Sequence, residues 1–241
     1  MKIVTLDPGH GGRDPGAVGL NGTFEKNIAF AISKLIQSKL TTPSMTVRLT
    51  RDTDILLTLT ERARMANTMK ADAFVSVHCN AATNRTAHGF EVFTAPGQNQ
   101  GDVLAERIIE EVSKAFPNMR MRVDMLDGDH DKEARFTVLT QARVPAALVE
   151  ILFISTPAEE AMLNDTKFQN DMAEAIANGI VRFLGAKRAH PPPLRKPHTV
   201  VAGDTLWGIA RRYGVTIPQL NAWNGLKTNT LTIGQTLIVE E

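Results

Sequence analysis

The sequence has almost no cysteine, no long apolar run and no strong excess of charge of either sign. One cysteine, Cys79, occurs in 241 residues, which excludes an internal disulfide framework. No stretch approaches the roughly 20 apolar residues that a transmembrane helix needs, and Met1-Lys2 leads directly into a predicted strand rather than into a secretory signal. A formal net charge of +1 leaves no surplus of cations for nucleic-acid phosphates. We therefore expect a globular protein with no membrane span and no nucleic-acid partner.

Apolar runs typical of strands alternate with segments of helical periodicity as far as Leu184. This alternation predicts an α/β domain with a largely parallel sheet flanked by helices. Residues 117–135 have no clean period and are expected to form an exposed loop. The predicted strands are 3–6, 45–50, 73–80, 89–94, 138–139 and 146–153, and the predicted helices are 24–40, 58–69, 102–115 and 165–184, with one more starting at Thr156.

The composition changes after residue 184. Residues 185–196 contain three consecutive prolines and only positive charges, which predicts a stiff, basic linker that either contacts an anionic polymer or is simply solvated. Residues 197–241 then show the pattern of a small βααβ domain, in which Trp207 and Trp223 are expected to anchor the core. The sequence thus predicts a domain at 1–184, a linker at 185–196 and a second domain at 197–241.

A glycine-rich turn around His10 follows the first predicted strand. A histidine at a strand end on such a turn is well placed to meet a ligand, although a single histidine is also an ordinary loop residue. Two candidate partners exist. Glu25 lies in the first turn of a predicted helix, where it also complements the helix dipole, and His78 closes a predicted central strand, where it could equally be a hydrogen-bonded core residue.

A carboxylate interrupts the last apolar strand of the first domain. Glu150 lies within the run Ala146 to Phe153, and a buried glutamate is costly unless it is paired, bound to a metal or protonated. Three further residues are candidates for contact with a substrate. Asn80 either binds a ligand or caps its strand, Glu91 faces either the site or solvent, and Arg135 could meet a carboxylate.

Four motifs together resemble the zinc-dependent N-acetylmuramoyl-L-alanine amidases of the type 3 family, in order, spacing and strand context. The resemblance covers residues 1–184 and implies that His10, Glu25 and His78 bind zinc and that Glu150 is the catalytic carboxylate. Leu152 stands where family members usually have glycine. The motifs are Asp7-Pro-Gly-His10-Gly-Gly, Glu25-Lys-Asn, Ser76-Val-His78-Cys-Asn80-Ala and Leu148-Val-Glu150.

The C-terminal domain resembles a LysM module, a type of domain that binds glycans containing N-acetylglucosamine. The resemblance rests on His198-Thr-Val-Val-Ala-Gly-Asp204-Thr-Leu-Trp207, on Leu220-Asn221 with Trp223-Asn224, and on Ile233-Gly-Gln-Thr-Leu-Ile238. A single copy is expected to bind weakly and to act by raising the local concentration of the cell wall at the active site.

The two resemblances imply a wall-targeted enzyme that hydrolyses the amide between N-acetylmuramic acid and L-alanine in peptidoglycan. We expect a monomer that acts outside the cytoplasm, either released in the manner of an endolysin or cell-lysis enzyme, or exported by a signal since removed. Two alternatives remain at this point. One is another zinc hydrolase of peptidoglycan, because the metal ligands alone do not determine which bond is hydrolysed. The other is a glycan-binding protein with a structural metal.

Overall fold

The computed structural model describes residues 1–126, 128–186, 196–226 and 228–240. The chain divides into two compact units, Met1–Arg188 and Ala189–Glu241. Most of the predicted linker, residues 187–195, lies outside the described residues. None of the described helices combines the length and apolarity needed to cross a membrane.

A six-stranded sheet forms the centre of the first unit. Its strands are β1 (Lys2–Pro8), β2 (Met45–Leu49), β3 (Ala73–Asn80), β4 (Glu91–Thr94), β5 (Lys132–Glu133) and β6 (Ala146–Phe153). Their order in the sheet is β2-β1-β3-β6-β4-β5. The pairs β1–β2, β1–β3, β3–β6 and β4–β5 are parallel, and β4 is antiparallel to β6. The predicted largely parallel sheet is therefore confirmed.

Helices cover both faces of this sheet. Alternate residues of β3 enter different cores, because side chains alternate across a strand: Val75 and Val77 belong to the main core and Phe74 to a smaller one. The helices are α1 (Glu25–Leu40), α2 (Leu59–Thr68), α3 (Gln100–Ala115), α4 (Thr137–Thr140), α5 (Pro157–Leu163) and α6 (Thr166–Phe183). The main core includes apolar side chains of α1, α3 and α6, and the smaller one includes side chains of α2 and α4.

One predicted element of this unit is wrong and another is incomplete. Val138 and Leu139 lie in the short helix α4, not in a strand, because both side chains are buried in the smaller core and so short an apolar pair carries no period. The expected loop at 117–135 contains the edge strand β5, which pairs with β4. Asp131, next to this strand, is buried, so residues 131–133 belong to the folded sheet, while most of the other described residues of the segment are exposed or half-buried.

The second unit is the predicted βααβ domain. It consists of β7 (Lys196–Thr199), α7 (Leu206–Tyr213), α8 (Ile217–Asn224) and β8 (Thr236–Glu240), with the two strands antiparallel. Trp223 packs against the core, whereas Trp207 is 62% exposed, so the expectation that both tryptophans anchor the core is wrong for Trp207. The core instead consists of aliphatic side chains, namely Val200, Leu206, Ile209, Ala210, Leu220, Leu237 and Val239.

Candidate active site

The turn after β1 brings His10 to the end of β3. His10 adopts a φ of 59°, a left-handed conformation that residues other than glycine rarely occupy. The preceding residue has to be small, since a Cβ built on Gly9 would lie 2.3 Å from Cε1 of His78. The two imidazole rings therefore approach each other edge to face, with their centroids 5.0 Å apart.

Glu25, the first residue of α1, lies between the two imidazoles. Its Oε1 is 3.0 Å from Nε2 of His10 and 2.9 Å from Nδ1 of His78. One candidate ligand atom from each of the three residues falls within 4.8 Å of the other two. Among the described residues this is the only group of at least three histidine, cysteine, aspartate or glutamate side chains so arranged, and it is the set that the motifs indicated.

The surroundings of Glu25 favour its ionised form. The carboxylate is buried and accepts hydrogen bonds from the backbone N–H groups of Ala17 and Cys79. Burial opposes ionisation, but the hydrogen bonds from His10 and His78 outweigh it and hold the pKa of Glu25 far below its ordinary value. The site thus presents a fixed negative charge flanked by two imidazoles, an arrangement suited to a divalent cation.

Asp14 is a site residue that the sequence analysis missed. Its Oδ2 lies 2.9 Å from Nδ1 of His10, the ring nitrogen turned away from Glu25. Its Oδ1 accepts the N–H of Gly16. A carboxylate on the distal nitrogen of a ligating histidine fixes the tautomer and the orientation of the ring, and the spacing of four residues after His10 in the same turn was the available signal.

Glu150 faces the same pocket from the neighbouring strand β6. It lies opposite His78 of β3 in the sheet register and opposite Glu91 of β4. Its Oε2 is buried and has no hydrogen-bond partner among the described residues. Burial raises the pKa of this carboxyl well above its ordinary value, and the charges of Glu25 and Glu91 raise it further.

These groups line a pocket of 680 Å³. Asn80 and Arg135 also line it, while Glu91 lies behind Asn80 and accepts a hydrogen bond from the Asn80 amide. Glu91 forms ion pairs with two cations, because its Oε2 lies 3.0 Å from Nε of Arg122 and 2.5 Å from Nζ of Lys132. Leu59 also lines this pocket and is 52% exposed. Apolar side chains at the pocket wall are Leu57, Leu59, Phe136, Val138 and Leu148.

Leu152, at the position where the family usually has glycine, is accommodated by an irregularity in β6. His78 pairs with Glu150, but Asn80 pairs with Phe153, so β6 has one residue more than β3 over this interval. Such a bulge re-aims neighbouring side chains. The Leu152 side chain is buried in the main core, which leaves Glu150 on the pocket side.

Two family models match the chain. The N-acetylmuramoyl-L-alanine amidase model matches residues 4–182, and the LysM domain model matches residues 198–240. The endolysin of Bacillus phage SPP1 is 40% identical over 196 residues, which are 78% of this chain and 68% of that protein. The N-acetylmuramoyl-L-alanine amidase AmiA of Escherichia coli strain K12 is 30% identical over 220 residues, 76% of each chain.

Solved structures of amidases share the fold of the first unit. The catalytic domain of CwlV from Bacillus (Paenibacillus) polymyxa var. colistinus has a TM-score of 0.71 at 33% identity and covers 78% of this chain and 100% of that one. AmiC2 of Nostoc punctiforme has a TM-score of 0.70 at 34% identity, covering 76% and 97%. The chain therefore belongs to the N-acetylmuramoyl-L-alanine amidase family and is a peptidoglycan hydrolase whose LysM domain targets it to the cell wall.

Proposed function

We propose that the amidase works with a zinc ion held by His10, Glu25 and His78, and that Glu150 transfers the proton. The reaction is hydrolysis of the amide between the lactyl group of N-acetylmuramic acid and L-alanine. The observation that supports this most directly is the convergence of the three ligand atoms in one pocket with the unpartnered carboxyl of Glu150.

The residues present fit zinc. Two imidazoles and one carboxylate form a His₂Glu set, which in catalytic sites leaves a fourth position open, and Asp14 supports the orientation of His10. Gly16 leaves room for the ligands, because a Cβ there would lie 2.6 Å from both Oε2 of Glu25 and Cδ2 of His10. Zinc supplies a Lewis acid that activates water and polarises the scissile carbonyl.

Glu150 performs the proton transfer in this proposal. Its Oε2 accepts a proton from the attacking water and donates it to the nitrogen of the departing L-alanine. A carboxyl with no hydrogen-bond partner of its own among the described residues is suited to this exchange, because taking up or releasing the proton breaks no existing bond.

The other three candidate residues position the substrate. Glu91 holds the side chain of Asn80 in place at the pocket wall, so Asn80 presents a fixed polar group to the muropeptide. Arg135 is an exposed cation at the rim of the pocket and is suited to a carboxylate of the stem peptide. Both contacts act on binding rather than on the chemical step.

Mass spectrometry of digested peptidoglycan tests the assignment. We expect the protein to release stem peptides with new L-alanine amino termini, to stop doing so after treatment with a chelator, and to resume after Zn²⁺ is added back. Cleavage that continues at full rate in a metal-free preparation would contradict the zinc proposal. Release of cross-bridge fragments without new L-alanine termini would point to a different peptidoglycan hydrolase.

For the whole chain we propose an endolysin or another cell-lysis enzyme that acts outside the cytoplasm, with domains at 1–184 and 197–241 joined by the basic linker 185–196. The match to the SPP1 endolysin supports this, and the LysM match supports direct attachment to the wall. The protein is expected to be a monomer. Light scattering after size exclusion should therefore give about the chain mass of 26.4 kDa.

A further inference from the structure

Two arginines are buried beneath the turn that carries His10. Arg51 follows β2 and Arg62 lies on α2, and each is 2% exposed. Buried guanidinium groups are rare unless they are paired. Arg62 pairs with the buried Asp7 of β1 at 2.9 Å, whereas Arg51 directs its hydrogen bonds at backbone carbonyl groups.

Arg62 holds the backbone of the turn on both sides of Gly9. Its Nη1 donates to the carbonyl of Pro8 at 2.7 Å and its Nη2 to the carbonyl of His10 at 2.6 Å. The second bond fixes the peptide group of a residue in the left-handed conformation, with φ at 59°. A strained conformation of this kind persists only where the surroundings determine it, and here it aims the His10 ring at Glu25.

Arg51 connects the segments of two candidate ligands. Its Nη2 donates to the carbonyl of Gly9, next to His10, and to the carbonyl of Lys26, next to Glu25, both at 2.9 Å. Its Nε donates to the carbonyl of Pro8 at 3.0 Å. One rigid guanidinium plane therefore sets the distance between the β1 turn and the start of α1, which a flexible lysine ammonium cannot do.

This arrangement is costly for the fold alone. Burial lowers the pKa of Arg51 and the neighbouring charge of Arg62 lowers it further, whereas the charges of Asp54 and Asp7 act in the opposite direction. Desolvation and repulsion by Arg62 thus oppose the charge of Arg51. The nearby carboxylate, Asp7, also accepts hydrogen bonds from the hydroxyl groups of Thr50 and Ser76. Well-packed apolar residues often stabilise a protein as well as buried ions do, so precise placement of the turn is the better explanation for this cluster.

We propose that Arg51 and Arg62 are positioning residues that hold His10 and Glu25 in the ligating arrangement before the metal binds. This inference rests on the zinc site proposed above. It predicts that the protein binds zinc with little rearrangement. It also predicts that a substitution which removes the hydrogen bonds of either arginine weakens metal binding even where the protein stays folded. The two arginines thus act on the metal through backbone carbonyl groups rather than by contact with substrate.

The test compares Arg51→Lys and Arg62→Lys with Arg48→Lys and Arg64→Lys, which replace exposed arginines on β2 and α2. Zinc affinity is measured on the full chain by competition with a chromogenic chelator, well below the melting temperature. We expect each buried substitution to weaken zinc binding about 10- to 100-fold, as loss of an outer partner of a metal ligand does. The controls should stay within about twofold. The visible spectrum of the Co²⁺-loaded protein should change only for the buried substitutions.

Unchanged zinc affinity and an unchanged Co²⁺ spectrum in both buried variants would overturn the inference, even if their melting temperatures fell, because the arginines would then serve the fold alone. Failure of the unsubstituted protein to bind zinc would instead refute the proposed metal site. If the variants do not fold, hydrogen exchange on the unsubstituted chain tests whether the turn is already ordered before zinc binds. Amides of residues 9–12 should be equally protected with and without zinc, and a gain of more than about tenfold on zinc binding would refute preorganisation.

Discussion

At the residue scale, the pocket places two glutamates in surroundings that drive their pKa values apart. Two imidazoles stabilise the charge on Glu25, so its pKa is lowered, whereas burial without a hydrogen-bond partner for Oε2 raises the pKa of Glu150. Such divergence commonly separates the roles of two carboxyl groups in one site. It supports the proposal that Glu25 binds the metal and Glu150 carries the proton.

Replacing the proposed proton carrier should separate chemistry from binding. Glu150→Gln keeps the shape of the side chain but cannot accept the proton, so we expect kcat to fall by about 10² to 10⁴ while bound zinc and attachment to cell walls are unchanged. Metal analysis and release of L-alanine termini measure the two effects. Glu133→Gln, an exposed carboxylate of the same sheet, is the matched control. A Glu150→Gln protein with more than half the normal rate would contradict the assignment.

Asp14 should matter for the metal and not for the fold. Asp14→Asn replaces the carboxylate beside Nδ1 of His10 with a neutral amide, so the ring loses a partner that increases its basicity. We expect zinc affinity to fall about tenfold, measured by chelator competition. Asp52→Asn, an exposed aspartate, should leave the affinity unchanged, and equal affinities for the two variants would count against a role for Asp14.

At the element scale, α2 begins with a capping box beside the pocket. Thr58 Oγ1 accepts the N–H of Glu61, and the Glu61 carboxylate accepts the N–H of Thr58. Thr58→Ala removes one of these acceptors and should lower the free energy of unfolding by about 1 kcal/mol. Circular dichroism during urea unfolding measures this, with Thr60→Ala on the same helix as the control. Equal effects of the two substitutions would show that the cap contributes nothing specific.

Asp131, the residue before the edge strand β5, introduces a pH dependence. The Asp131 carboxyl accepts the hydroxyl of Thr94 at 2.6 Å, and its Oδ1 is buried with no hydrogen-bond partner among the described residues. Burial raises the pKa of Asp131 to about 7, with further contributions from Asp129 and Asp102. An acid whose pKa is higher in the folded protein favours folding while protonated. This contribution is complete below about pH 4 and is lost as the pH rises through about 7.

Asp131→Asn should therefore flatten the dependence of stability on pH. We expect the normal protein to lose roughly 1 to 2 kcal/mol between pH 5 and pH 8 from this group, discounted for screening by solvent. The asparagine variant should lose less and be the more stable of the two at pH 8. Urea unfolding at the two pH values measures this, and an identical pH dependence in both proteins would assign the titration to another group.

At the scale of the whole molecule, the chain has two units with separate cores. Both tryptophans, Trp207 and Trp223, lie in the second unit, so tryptophan fluorescence reports on that unit and circular dichroism mainly on the larger first unit. This separation allows the contribution of each unit to be measured in the intact protein.

A cavity in the small core should disable wall attachment alone. Leu220 is fully buried in the second unit, and Leu220→Ala should cost about 2 to 5 kcal/mol, enough to unfold a domain of this size. We expect the fluorescence transition to disappear and binding to cell walls to be lost, while hydrolysis of a soluble muropeptide continues unchanged. Loss of soluble activity as well would show that the amidase unit depends on the LysM unit.

Local sequence patterns predicted most of the architecture. They failed where the exposure of a residue depends on segments from distant parts of the chain. Strands β3 and β6 are predominantly apolar because both faces of the sheet are covered there, so the residues themselves indicate the strands. Leu59 and Trp207 have apolar side chains but are largely exposed. A local period identifies the apolar face of a helix, but it does not show whether the tertiary structure covers a given residue on that face or leaves it open to a pocket or to solvent.

The sequence by itself determined the α/β class, the small βααβ domain and the motifs around His10, Glu25, His78 and Glu150. Short-range residue patterns are sufficient for this because they specify strand ends, turns and helix starts. Tertiary structure decided which atoms meet. Three features depend on side-chain direction and sheet register. They are the contact of Asp14 with His10, the hydrogen bonds of Arg51 to the carbonyls of Gly9 and Lys26, and the bulge beside Leu152. Direction and register are properties of segments brought together by folding.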